Sequence, residues 1–91
     1  MNDSKIYVFN GNNAAFPSAL FSSYEKADQW IQLHQLSGTL TVYPLDISAY
    51  DWAVEKQYFK PKSEKDKSAM FMSKFSSAYQ EHWHFIDGVT G

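Results

Sequence analysis

The chain is 91 residues long, 44% hydrophobic and 18% aromatic, which suffices for one core and is too short for a two-domain enzyme. It contains no cysteine, so disulfides, thiolate catalysis, Cys-based zinc sites and iron–sulfur clusters are excluded. Ten acidic residues against eight Lys, with no Arg, leave a net charge of −2, and a nucleic-acid binder without the side chain best suited to phosphate and guanine would be unusual.

Lys5 to Phe9 is β-branched and aromatic, and Asn10-Gly11-Asn12-Asn13 supplies the turn chemistry that ends a first strand. Phe16, Ala19 and Phe21, interrupted by Pro17, suit a short edge strand, because Pro cannot donate to a ladder. Ser22-Ser23-Tyr24-Glu25 reads as a capping box on Ser22. The helix it opens carries Ala27, Trp30, Ile31 and His34 on one stripe and is expected to stop near Leu36, with Ser37-Gly38 as a left-handed cap. Thr39 to Tyr43 then alternates as a strand, Leu40 and Val42 on one face, until Pro44. Ser48 caps a second helix expected to run through Gln57.

From Lys56 to Lys74 the chain holds six Lys against Glu64 and Asp66, so this stretch is +4 and the remainder −6. Lys60 to Lys67 is expected to be a solvated loop within one domain spanning 1–91, and Ser68 to Ser76 a short third helix. Tyr79 to Ile86 alternates cleanly and reads as a strand ended by Asp87-Gly88. The order implies an α+β fold: a small, largely antiparallel sheet of three or four strands with two to three helices on one face. The long crossover from Tyr43 to Tyr79 leaves the relative direction of those two strands open.

The most pointed constellation is His82-x-His84, since residues two apart on a strand point the same way and bring two imidazoles within reach of one ion. A third ligand would have to come from His34, Asp87 or Glu81. The alternative is a pair of half-exposed histidines beside a tryptophan. Asp46, Asp51 and Glu55 gather in and before the second helix. Paired carboxylates serve acid–base chemistry in a pocket, favour a helix N-terminus through its dipole, or form an acidic contact surface with Tyr50 and Trp52. The Lys-rich stretch lacks Arg, Gly and a regular aromatic interleave, and no glycine loop or nucleophile elbow is present. No apolar run approaches the roughly 20 residues of a membrane span, and Met1 to Lys5 does not resemble a signal peptide, so a cytoplasmic protein is expected.

Three stretches carry a resemblance: Ser37-Gly38-Thr39-Leu40-Thr41-Val42-Tyr43-Pro44-Leu45-Asp46; Tyr50-Asp51-Trp52-Ala53-Val54-Glu55-Lys56 with Tyr58 to Pro61; and Phe75 to Ala78 with Gln80-Glu81-His82-Trp83-His84 and Asp87-Gly88. Together with Phe16-Pro17 and Phe21-Ser22-Ser23 they make the chain resemble a family of small uncharacterised bacterial proteins over nearly its whole length. In general character such proteins are similar to the immunity proteins of toxin systems, contact-dependent inhibition among them.

The expectation is therefore a non-enzymatic protein-binding protein without a cofactor, an immunity protein whose acidic, aromatic surface meets a toxin with a basic active-site surface. Asp46, Asp51 and Glu55 would supply the charge and Tyr50 and Trp52 the contact area if exposed, with Glu81, His82 and Asp87 as a rim. Neither nucleic acid nor membrane is an expected partner. Two other readings stand beside it: a small metal-binding module or metal-dependent enzyme built on His82 and His84, and a self-associating regulatory module that forms a homodimer through its aromatics.

Overall fold

The computed structural model describes residues 4–77 and 79–90. The start of the Met1 to Lys5 segment and the Ala78 of the third family stretch lie outside the described residues. The strands β1 (Lys5–Gly11), β2 (Ala19–Phe21), β3 (Gly38–Pro44), β4 (His82–Ile86) and β5 (Val89–Thr90) form one sheet in the order β2-β1-β3-β4-β5. Every neighbouring pair is antiparallel. The α+β expectation holds at that level, but among the described residues the sheet has five strands rather than three or four.

Helix α1 (Tyr24–Leu33) lays Ala27 and Ile31 on the sheet, where they bury Phe9, Leu40 and Phe85. Its cap is Ser23, one residue later than expected: the Ser23 hydroxyl accepts from the Lys26 amide at 3.2 Å, so Glu25 stands one position too early to close a capping box. The helix also ends earlier, at Leu33. Gln35 takes the left-handed conformation (φ 52°) and Leu36 N–H returns to the Ile31 carbonyl at 3.0 Å, the bond of a Schellman end.

Gly38 therefore serves a different purpose from the helix cap expected of it. It pairs with Gly11 across β1 and β3, and a Cβ there would collide with the Asn10 carbonyl oxygen and stand 2.7 Å from Phe9 Cζ. The missing side chain lets the buried Phe9 ring lie against the β3 backbone. β1 accordingly runs two residues past the expected Phe9, through Asn10 and Gly11.

Asp87-Gly88 is a two-residue hairpin turn with both φ positive (51° and 87°), and Ile86 pairs with Val89 across it. The strand expected from Tyr79 begins at His82. Gly88 N–H donates to the Leu36 carbonyl at 2.8 Å, which docks the turn on the end of α1.

Helix α2 (Ala49–Glu55) is capped by the Ser48 hydroxyl, which accepts from the Asp51 amide, and stops two residues before Gln57. A 3₁₀ turn at Lys65–Lys67 follows the irregular chain, and α3 (Ala69–Ser73), capped by Ser68, is shorter than the expected helix. α2 meets the sheet through β3, while α3 packs against the 3₁₀ turn. Between them lies a second aromatic cluster in which the buried Tyr50 ring meets Phe59, Phe71 and Phe75 at 5.8, 6.1 and 5.4 Å. The two clusters make the molecule elongated, 45 × 30 × 20 Å, with a radius of gyration of 14.6 Å. A compact chain of this length would have about 12 Å.

Gly38→Ala is expected to destabilise the fold by about 2–3 kcal/mol, because neither backbone nor a packed ring can yield to the new methyl group. Urea unfolding measures it; a loss below about 0.5 kcal/mol would mean that β1 and β3 do not approach as described.

Candidate functional site

The antiparallel β3–β4 pairing carries the geometry of the site. It returns the chain from the α2–α3 region so that Glu81 and His82 arrive beside the end of β3: the Val42 N–H donates to the Glu81 carbonyl at 2.9 Å and Thr41 pairs with His82. Gln80, buried in this approach, fixes it further. Its Oε1 accepts from the Ser77 amide at 3.0 Å, and its Nε2 donates to the Val42 carbonyl at 3.5 Å. A buried amide left unpaired would cost about 1–3 kcal/mol, so these contacts select one path for the returning chain.

An open groove of about 1220 Å³ results where β1 begins, β3 ends and β4 begins. Asp46 reaches it from the turn after β3, Trp52 and Glu55 from α2, Glu81 and His82 from the approach to β4, and Lys5 and Lys56 from its margins. Asp46 sits in the left-handed region (φ 66°), which aspartate tolerates better than most residues and which lets the chain turn from β3 towards Ser48. Trp52 and Tyr79 line the groove, and Tyr58 joins them from behind: Trp52 packs on Tyr58 at 5.4 Å, and Tyr58 stacks on Tyr79 at 4.3 Å with 12° between the rings. Tyr79 also borders a second groove of about 710 Å³, floored by Phe59, Phe71 and Phe75 and flanked by Lys65 and Lys74.

Five of the residues expected to form a contact surface thus line one groove: Asp46, Trp52, Glu55, Glu81 and His82. Three do not. Tyr50 is buried, with 6% of its surface exposed, and its hydroxyl donates to the Asp66 carbonyl at 2.8 Å, so it organises the second cluster and offers a partner no contact area. Asp51 is exposed at the start of α2 but outside the groove. Asp87 lies in the β4–β5 turn at the far end of β4, its amide donating to the Ser37 hydroxyl at 2.9 Å, and so cannot be a rim of this groove. Tyr79, Gln80, Lys5 and Lys56 were absent from the expected surface; the first two join it only through the direction of the β3–β4 pairing.

The three groove carboxylates are exposed to water. Burial, followed by the charges of Asp28 and Glu25, raises the Tyr24 phenol above its ordinary range. The Tyr24 ring packs on Trp83 at 4.7 Å and does not line the groove.

His82 and His84 project from the sheet face opposite Phe9, Leu40 and Phe85, with ring centres 5.2 Å apart. His34 stands on the α1 side of the sheet against Trp30 and so cannot join them. Among the described residues no group of three or more His, Asp or Glu is placed to hold a metal ion. Among them, too, no helix is long and apolar enough to cross a membrane.

The model of a family described as Domain of unknown function (DUF7710) matches residues 6–91, and the chain belongs to that family. No curated protein and no solved structure matches the chain.

Tyr50→Phe, which removes the hydroxyl bonded to Asp66, is expected to cost about 1 kcal/mol, and Tyr50→Ala about 3–5 kcal/mol. Chemical unfolding distinguishes these from the value below about 0.5 kcal/mol that a surface tyrosine would give.

Proposed function

We propose that the chain is a non-enzymatic protein-binding protein whose acidic, aromatic groove receives a cationic element of its partner. The observation that carries this reading is the convergence of Asp46, Glu55 and Glu81, from three separate segments, around one open groove that also exposes part of Trp52. Three carboxylates against Lys5 and Lys56 leave the lining net acidic. Each exposed ion pair would contribute no more than about 1 kcal/mol, so charge chiefly steers encounter, and burial of Trp52 supplies most of the holding energy.

The finer form of the proposal is an immunity protein, in which the partner is a toxin and the cationic element belongs to its active-site surface. A nuclease or similar enzyme must present positive charge to its substrate, and an acidic plug that captures this charge blocks the reaction without chemistry of its own. The resemblance in general character to toxin-immunity proteins supports this form, and so does the concentration of −6 outside the Lys-rich stretch.

The test uses a partner co-purified from the native cell and measures both rate constants at low and moderate salt. Glu55→Lys and Glu81→Lys, both at exposed positions, should each slow association by about tenfold at low salt, the difference shrinking as salt rises. Trp52→Ala should instead speed dissociation by about tenfold or more. Association unchanged by both charge reversals removes the groove from the interface.

A further inference from the structure

The geometry points to a bidentate metal-chelating site on the open sheet face, in which His82 and His84 together hold one zinc-like divalent ion through their Nε2 atoms. This goes beyond the protein-binding reading and does not depend on it.

Three features of the pair carry the inference. The first is separation. Metal–nitrogen bonds of about 2.0–2.1 Å place each ring centre roughly 3.2 Å from a shared ion, and a tetrahedral angle between the two bonds then separates the centres by about 5.2 Å. The rings of His82 and His84 stand 5.2 Å apart with 86° between their planes, which matches that separation.

The second is the state of the outer ring nitrogens. His82 Nδ1 lies 2.9 Å from the Gln80 carbonyl oxygen, which can only accept, so the proton is on Nδ1 and the lone pair of the neutral ring is on Nε2. Gln80 is itself pinned by Ser77 and Val42, so the acceptor is held in place. His84 Nδ1 lies 3.3 Å from the Thr39 hydroxyl, directly across the β3–β4 register, and a hydroxyl can accept the Nδ1 proton when Nε2 binds an ion. Orientation of a ligating imidazole by a carbonyl or hydroxyl behind it is the usual support of protein metal sites.

The third is access. Both rings are exposed, on strand positions two apart and facing away from the core, so the other coordination positions are open to water or to a group from another molecule. Imidazole nitrogens select zinc, copper or nickel over magnesium and calcium, which require oxygen ligands. With two protein ligands the ion is exchangeable rather than permanently resident, in contrast to a closed four-ligand structural site.

The experiment titrates the full chain, without any partner, with zinc alone, followed by calorimetry and by the histidine ring signals in the NMR spectrum. One zinc per chain is expected, with the His82 and His84 resonances shifting, those of His34 unmoved, and magnesium producing no change. His82→Ala and His84→Ala should each weaken zinc by tenfold or more, and Thr39→Val by a smaller factor, because it removes only the group behind His84. Uptake that survives either histidine substitution overturns the site, as does the absence of uptake by the unaltered chain at about 100 µM zinc. The groove proposal is unaffected by either outcome, since its own test contains no metal.

Discussion

The direction in which β4 lies against β3 is the constraint on which both sites depend. Residues 45–81 leave the sheet at Pro44 and return at His82, and the antiparallel register from Gly38–Phe85 to Thr41–His82 fixes where the returning chain ends. A parallel arrangement would bring Glu81 to the opposite end of β3, away from Asp46 and Trp52, and would destroy the groove. Closing so long an excursion costs conformational entropy that grows only slowly with its length, so a few well-paired strand residues and the buried Gln80 suffice to hold it.

Within that excursion the second aromatic cluster does what an extension of the sheet's own core cannot. Phe59, Phe71 and Phe75 surround Tyr50, and the Tyr50–Asp66 hydrogen bond ties α2 to the 3₁₀ turn inside the Lys-rich stretch. α2 is thereby held at a fixed angle to the sheet, which positions Trp52 and Glu55 over the groove. Tyr79, stacked on Tyr58, borders both grooves, with Lys65 and Lys74 of the basic stretch at the second and Lys56 of the same stretch at the first.

Local signals were legible where the chemistry is local. The β-branched alternation of Thr39–Tyr43 gave the buried Leu40 and Val42, the serine before α2 gave its cap, and the alternation after Glu81 put Trp83 and Phe85 on the face opposite the two histidines. Errors of one or two residues arose where two residues offered the same chemistry, as Ser22 and Ser23 did for the cap of α1, and as Gln35 and Gly38 did for its left-handed end. The two-residue β5 was missed because Asp-Gly was read as a stop rather than as a hairpin turn. Tyr50 was misplaced for a deeper reason: the rings that bury it come from residues 59–75, and no local pattern on α2 reveals them. The groove likewise lay hidden in a topology left open, although most of its acidic and aromatic residues were visible one by one.

Hydrogen–deuterium exchange across the chain, with and without its co-purified partner, tests the account at its centre. Binding in the groove should slow exchange at residues 45–56 and 79–82 and leave the β4–β5 turn and α1 unchanged. Slowed exchange confined to residues 65–77, or to β2 and the Asp87 turn, would place the interface elsewhere and contradict the assignment of the acidic groove.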